Sequence, residues 1–130
     1  MTKMIKGVGI DIIEVKRIEG MIKAHGELFI SRVFTQAEND YCESFRRPEE
    51  RFAGRFAAKE AVLKALGTGW RGGISWQDVE VLEAPSGRPE VHLTGAAGKE
   101  AKKLGVQKVH LSISHSRDYA LAYAIAEGST

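Results

Sequence analysis

Two carboxylates stand where a solvent-exposed acid is not expected. Asp11 lies between Ile10 and Ile12 inside an apolar run, and Glu60 lies among small and aliphatic residues. Burying a carboxylate is costly unless it is paired with a cation or bound to a metal. Two such acids suit Mg²⁺, which typically takes one or two protein carboxylates and completes its shell with water and phosphate oxygens. Strand alternation could instead turn Asp11 to solvent.

The helix that carries Glu60 also carries two lysines. Glu60 and Lys64 are i,i+4 neighbours in the favourable order. A surface ion pair of this kind contributes only about 0.3–0.5 kcal/mol, so the spacing alone does not indicate a function. On a helical wheel Glu60 falls at the border of the apolar stripe, whereas Lys59 projects from the stripe itself. An ordinary surface helix does not explain that lysine.

Hydroxyl and imidazole groups crowd the segment LSISHSRDYA, residues 111–120, at a predicted strand end. His115 beside Ser116 suits anion binding or base catalysis, and a structural histidine is an equal alternative. The G-x-S-x-G elbow of many serine hydrolases is absent. The glycine-bearing loops at 67–73 and 85–89 match no phosphate-cradling signature and by themselves indicate turns.

The elements that position these side chains follow from periodicity and turn residues. Helices are predicted over residues 14–24, 35–45, 48–66 and 94–104, and strands over 4–13, 78–83, 90–93, 108–115 and 119–126. The helix at 48–66 is the strongest of these predictions, since Pro48 suits a first turn and Gly67 an end. This arrangement predicts an α+β fold.

Composition excludes several classes of protein. A chain of 130 residues with 43% hydrophobic and 28% charged residues is typical of one globular domain, predicted here over residues 1–130. The net charge of +2 is far from that of a dedicated nucleic-acid binder, and no apolar run approaches the roughly 20 residues of a membrane span. A lone Cys42 makes no intrachain disulfide, which favours the cytoplasm.

Four segments together resemble the bacterial holo-acyl-carrier-protein synthases of the 4′-phosphopantetheinyl transferase superfamily. They are GVGIDIIEVKRI at 7–18, RFAAKEAVLKALGTG at 55–69, ISWQDVEV at 74–81 and LSISHSRDYA at 111–120. The resemblance implies a small domain with an antiparallel sheet packed against a long central helix. It also implies an enzyme of lipid biosynthesis that moves 4′-phosphopantetheine from coenzyme A to a serine of apo-acyl carrier protein, releasing 3′,5′-ADP.

The resemblance also implies roles for individual residues. Asp11 and Glu60 would hold Mg²⁺, and Lys64 would neutralise a phosphate oxygen. Glu60 is the candidate general base, directly or through a water on the metal. The coenzyme would lie against Arg55, Lys64, Gly87, Arg88, Pro89, His115 and Ser116. A homotrimer is implied, with His115 and the 86–89 loop facing Asp11 and Glu60 of a neighbouring chain.

An acidic carrier protein implies a basic docking face. The first helix offers Arg17, Met21 and Lys23, and Phe56 joins them. Two alternatives remain. One is a non-catalytic trimeric module that binds coenzyme A or a nucleotide, against which the intact carboxylates and Lys64 speak. The other is a small RNA-binding domain, disfavoured because no sheet motif interleaves aromatic and basic residues.

Overall fold

The computed structural model describes residues 2–129. These residues form five strands, five helices and one short 3₁₀ helix at Trp76–Asp78. The strands are β1 Lys3–Glu14, β2 Val79–Glu83, β3 Pro89–Leu93, β4 Val106–His115 and β5 Tyr119–Ser129. The helices are α1 Val15–His25, α2 Glu27–Val33, α3 Gln36–Glu43, α4 Pro48–Leu66 and α5 Gly95–Lys103. The predicted α+β class is confirmed, and residues 27–34, for which the sequence favoured no element, contain α2.

The three long strands form an antiparallel sheet in the order β1-β5-β4. Ala120 of β5 stands opposite Ile13 of β1 on one side and opposite His115 of β4 on the other. Every second residue of β5 from Ala120 to Ala126 is a fully buried alanine. These small side chains let α4 lie close against the sheet. The helix α4 is therefore the long central helix that the resemblance implied.

Two glycines bring α4 onto β1. A Cβ atom at Gly7 would collide with the carbonyl oxygen of Ala65, and one at Gly9 would collide with that of Ala61. Because side chains alternate along a strand, Asp11 lies on the same face of β1 as these glycines. The close approach therefore sets Asp11 beside the second half of α4.

The strands β2 and β3 form a separate two-stranded antiparallel sheet. The antiparallel sheet on a long central helix that the resemblance implied is the β1-β5-β4 sheet packed against α4, and the β2-β3 pair is additional to it. The 3₁₀ helix that leads into β2 is tied to α4 by Lys59, whose Nζ donates to the carbonyl oxygens of Trp76 at 3.0 Å and Val79 at 2.5 Å. A side chain of α4 thus anchors the second sheet.

Lys59 explains why a lysine projects from the apolar stripe. Its Nζ lies 2.9 Å from Glu38 Oε1, and both side chains are fully buried. Burial lowers the pKa of Lys59, and the attraction of Glu38 opposes that shift. Glu38 also accepts from the backbone N–H groups of Thr35 and Val81, at 2.8 Å each. The pair joins α3, α4 and β2 inside the core.

Replacing Lys59 with methionine is expected to lower the free energy of unfolding by about 3–5 kcal/mol, because Glu38 would be left buried without a cation. Urea denaturation measures the change. Lys64→Met is the matched control, since that lysine is 55% exposed and its ion pair contributes about 1 kcal/mol or less. Equal stability of the two variants would show that the buried pair does not stabilise the fold.

Within residues 2–129, no helix is long and apolar enough to cross a membrane.

The face of the β1-β5-β4 sheet that points away from α4 is apolar and exposed. This outer face carries Val8, Ile10, Ile12, Leu121 and Tyr123, which are between 37% and 63% exposed. An apolar surface of this extent marks an interaction site rather than an ordinary solvated face.

Candidate functional site

The structure brings Asp11, Glu60 and Lys64 together. Lys64 Nζ lies 3.2 Å from Asp11 Oδ1 and donates to the carbonyl oxygen of Ile10 at 3.0 Å. Lys64 thus forms its ion pair across to β1, and not along the helix to Glu60 as the spacing suggested. The side chain of Asp11 is 19% exposed, so it is neither turned to solvent nor sealed in the core.

The negative charge of Asp11 affects the pKa of Glu60. Burial raises the pKa of Glu60, and repulsion from Asp11 raises it further. A polar contact from the Trp70 side chain and the positive charges of Lys64 and Arg17 oppose these two effects. The carboxylates therefore repel one another even with two cations near them.

This donor set fits a hard divalent cation. Two carboxylates that repel each other at a half-buried position are stabilised by a positive ion between them. Oxygen ligands are those that Mg²⁺ prefers, and one or two carboxylates are its usual protein share. Asp11 and Glu60 would hold such an ion, with the remaining positions open to a substrate.

A second cluster surrounds Arg55, and we call it the Arg55 pocket. Four residues that the resemblance assigned to the coenzyme, Arg55, Gly87, Pro89 and His115, line one cavity of about 120 Å³. The cavity is completed by Tyr41, Arg51, Glu83 and Ile113. Two guanidinium groups and an imidazole at one small cavity make it suited to a phosphate group.

Two buried nitrogens of the pocket lack partners. Among the described residues, neither Arg55 Nε nor His115 Nδ1 makes a hydrogen bond. Arg55 lies over the Tyr41 ring, 4.0 Å from its centroid, and His115 Nδ1 stands 3.6 Å from Glu50 Oε1, too far for a hydrogen bond. Buried unpaired polar groups are rare and costly, so these two suit an anionic ligand.

Two further predicted residues lie in the turns beside this pocket. Gly87 takes a positive φ of 87° in the turn between β2 and β3, a conformation that favours glycine. Arg88 is exposed in the same turn, and its carbonyl oxygen accepts from Ala84 N–H at 2.8 Å. Ser116 Oγ accepts from Tyr119 N–H at 3.2 Å in the turn between β4 and β5. The Ser116 hydroxyl therefore has a local structural partner.

The carboxylate pair and the Arg55 pocket lie on opposite sides of α4. Asp11 is on β1 and His115 on β4, and β5 runs between them. With neighbouring strands about 4.8 Å apart, their backbones are roughly 10 Å apart across the sheet, and α4 packs over that gap. Within one chain the two halves of the predicted site thus lie on the two outer strands of this sheet.

Only some of the residues predicted to bind a carrier protein lie close together. Met21 and Phe56 line one groove of about 410 Å³, together with His25, Leu28, Phe29, Arg32, Val33 and Trp76. Phe56 is 9% exposed and stacks on Trp76 at 4.9 Å. Arg17 lies one turn before Met21 on α1 and near enough to Glu60 to lower its pKa. Lys23 lies on the other side of α1 and pairs with Glu19 at 3.7 Å.

Sequence reasoning missed the residues that complete these surfaces. Arg51 precedes Arg55 by one helical turn, a spacing that could have identified it. Tyr41 and Glu83 gave no such signal, because their approach depends on how α3 and β2 pack. Burial raises the pKa of Tyr41, and the nearby Glu83 carboxylate adds to the shift. Arg32 lies in α2, a helix that the sequence analysis did not predict.

Comparison with known proteins gives consistent relatives. A sequence model of the 4′-phosphopantetheinyl transferase superfamily matches residues 7–124. A holo-[acyl-carrier-protein] synthase of Koribacter versatilis is 51% identical over 124 residues, covering 95% of this chain and 99% of that protein. The crystal structure of such a synthase from Neisseria meningitidis aligns with a TM-score of 0.86 and 37% identity, over 95% of this chain and 98% of that one. A synthase from Bacillus anthracis in complex with CoA (3′,5′-ADP) aligns at 0.79 and 40%, over 97% and 99%.

Proposed function

Because this chain belongs to the 4′-phosphopantetheinyl transferase superfamily, we propose that it transfers 4′-phosphopantetheine from coenzyme A to a serine of apo-acyl carrier protein. The products are holo-acyl carrier protein and 3′,5′-ADP. Full-length relatives that are about half identical carry the name of this enzyme, a phosphopantetheinyl transferase. The observation that carries the proposal is the pairing of Asp11 and Glu60 beside Lys64.

In the proposed reaction the serine Oγ attacks the β-phosphorus of coenzyme A. The bond from that phosphorus to the bridging oxygen breaks, and 3′,5′-ADP leaves with the electron pair. Asp11 and Glu60 would hold Mg²⁺, which supplies positive charge to the phosphoryl oxygens. Lys64, already ion-paired to Asp11, neutralises a further phosphate oxygen.

Glu60 is the candidate to accept the serine proton. Burial and the Asp11 charge raise its pKa above that of an ordinary glutamate. A carboxylate within hydrogen-bond reach of the serine hydroxyl, or of a water on the metal, can take that proton. The function therefore uses the same carboxylate to bind and to move a proton.

The Arg55 pocket supports binding of the coenzyme's phosphates. Its unpaired Arg55 Nε and His115 Nδ1 suit an anion, and Gly87, Arg88 and Pro89 form the adjoining turn. A related synthase is described as a complex with CoA (3′,5′-ADP). The pocket would therefore hold the nucleotide end, with the reacting pyrophosphate at the carboxylate pair.

A second copy of the chain would reconcile the two separated half-sites. The exposed apolar outer face, with Ile10, Ile12 and Leu121, supports self-association through the β1-β5-β4 sheet. In the homotrimer that the family resemblance implies, the Arg55 pocket of one chain would face the carboxylates of its neighbour. Each trimer would then contain three composite sites.

The groove between α1 and α2 would receive the carrier protein. Met21 and Leu28 provide exposed apolar contacts, and His25 and Arg32 provide a basic rim. Phe56 lies at its floor, one turn of α4 before Glu60, so a partner seated there would be close to the carboxylates. A basic rim around an apolar groove suits an acidic helical partner.

Arg17→Glu is expected to raise the KM for the carrier protein at least tenfold, because the reversed charge repels an acidic partner, and to weaken coenzyme A binding less. Carrier kinetics and a coenzyme A titration measure the two effects. Lys23→Glu is the matched control, since Lys23 lies on the opposite side of α1. A larger increase in the carrier KM from Lys23→Glu than from Arg17→Glu would show that the carrier protein docks on the side of α1 that carries Lys23.

The proposed activity is tested by mass spectrometry of an apo-carrier protein incubated with this protein, coenzyme A and Mg²⁺. The expected result is a gain equal to the phosphopantetheine group, which disappears when a chelator is added. Binding of coenzyme A without any mass gain would support the non-catalytic binding module instead.

A further inference from the structure

The 3₁₀ helix Trp76–Asp78 lies in the segment ISWQDVEV, one of the four stretches that carry the family resemblance. Trp76 lines the groove between α1 and α2 and stacks on Phe56 at 4.9 Å. The next residue, Gln77, is exposed, and its side-chain amide contacts α2. Two consecutive residues of this short helix therefore contact the floor and one wall of the groove.

Gln77 binds the C-terminal end of α2. Its Nε2 donates to the carbonyl oxygen of Ser31 at 2.5 Å and to that of Phe34 at 3.0 Å. The last carbonyl groups of an α-helix have no partner within the helix, and a glutamine amide has two N–H donors. Both donors of Gln77 are thus used on two carbonyl groups at one helix end.

The helix α2 depends on contacts outside itself for its orientation. It has only seven residues, and a helix this short is marginal in isolation. Gly26, with a positive φ of 53°, separates it from α1, so the two helices do not form one continuous rod. The inner side of α2 is buried, whereas Leu28 and Arg32, which line the groove, are exposed. The hydrogen bonds from Gln77 therefore fix the end of α2 that carries Arg32.

The backbone that carries Gln77 is itself anchored to α4. Lys59 Nζ donates to the carbonyl oxygens of Trp76 and Val79, on either side of Gln77 along the chain. The Lys59 side chain is fully buried, so this anchor lies in the core. Gln77 thus connects α2 to the helix that also carries Glu60.

From these contacts we propose that Gln77 is a positioning residue that holds α2 in place as one wall of the carrier-protein groove. The proposal rests on the proposed function, in which that groove receives the carrier protein. With α2 fixed, Leu28 and Arg32 are presented in one arrangement, and less conformational freedom is lost when a partner binds. Among residues 2–129, those that line the Arg55 pocket do not include Gln77. Its effect is therefore expected on the carrier protein and not on the coenzyme.

The test compares Gln77→Leu with Gln36→Leu. Both remove the amide of an exposed glutamine, but Gln36 Nε2 donates to Asp40 on α3, outside the groove. Hydrogen–deuterium exchange followed by mass spectrometry measures the opening of α2, and steady-state kinetics gives kcat and the KM values for the apo-carrier protein and coenzyme A. Gln77→Leu is expected to speed exchange over residues 27–34 and to raise the carrier KM, each about five- to tenfold, because two hydrogen bonds are lost. Its kcat and coenzyme A KM, and every value for Gln36→Leu, are expected to stay within about twofold of the unchanged protein.

Unchanged exchange over residues 27–34 in Gln77→Leu would overturn the positioning role, and so would faster exchange with an unchanged carrier KM. A fall in kcat with both KM values unchanged would also overturn it, because loss of folded protein has that signature. Equal increases in the carrier KM of the two variants would do the same. If the unchanged protein transfers nothing, the proposed function fails and the role in carrier binding fails with it, whereas the exchange measurement still shows whether Gln77 holds α2.

Discussion

Asp11→Ala is expected to reduce phosphopantetheine transfer about a thousandfold, and Glu60→Ala at least as much. A metal ion contributes several kcal/mol of charge stabilisation to such a transition state, and about 4 kcal/mol corresponds to a thousandfold in rate. Asp11 and Glu60 are the two ligands that the protein would provide to Mg²⁺, so either substitution removes one of the two. The rate is measured as the mass gain of an apo-carrier protein with time.

The same variants should remain folded, which separates chemistry from stability. Asp11 repels Glu60, so its removal relieves repulsion and loses only the ion pair with the half-exposed Lys64. Urea denaturation should therefore give a free energy of unfolding within about 1 kcal/mol of the unchanged protein. Asp40→Ala, which removes an exposed carboxylate on α3, should leave the rate within about twofold. Normal turnover in a folded Asp11→Ala protein would refute the metal assignment.

Mixing two inactive variants is expected to restore activity if active sites form between chains. Asp11→Ala removes the carboxylate half of a site, and His115→Ala removes part of the Arg55 pocket. In a random equal mixture, about a quarter of the interfaces pair an intact carboxylate half with an intact pocket half. Activity should therefore rise from near zero to about a quarter of that of the unchanged protein.

The measurement refolds the two variants together and compares them with each variant refolded alone. A third mixture, Asp11→Ala with Glu60→Ala, is the matched control, because both substitutions damage the same half-site and no interface regains an intact one. Recovery in the first mixture but not in the third indicates composite sites. A first mixture as inactive as its parents would place the whole site within one chain.

Several features of the fold could be predicted from local sequence alone. Pro48 and Gly67 bound α4, and the observed helix runs from Pro48 to Leu66 as predicted. Thr35 and Glu38 form a capping box at the start of α3, where the sequence predicts a helix beginning at residue 35. These signals involve residues within one turn of each other, so backbone geometry and nearby hydrogen bonds suffice to determine them.

For the candidate site as well, local sequence determined some features and tertiary packing determined others. Residue type and neighbours singled out Asp11, Glu60 and Lys64, and the family resemblance added Arg55, His115 and the 86–89 turn. Which of them meet was decided by packing: the glycines at 7 and 9 admit α4 to β1, and Lys64 then reaches Asp11 rather than Glu60. An i,i+4 pair on a wheel cannot compete with a partner that a second element brings within 3.2 Å.

The sequence alone therefore determined the elements and the chemical types available, because propensity, capping and alternation act over a few residues. Only the tertiary structure decided that Lys59 pairs with Glu38 in the core and that Lys64 pairs with Asp11 on β1. Those contacts join different elements of the chain. They depend on how closely two elements approach and at which angle, which side-chain volume and burial set across the whole domain.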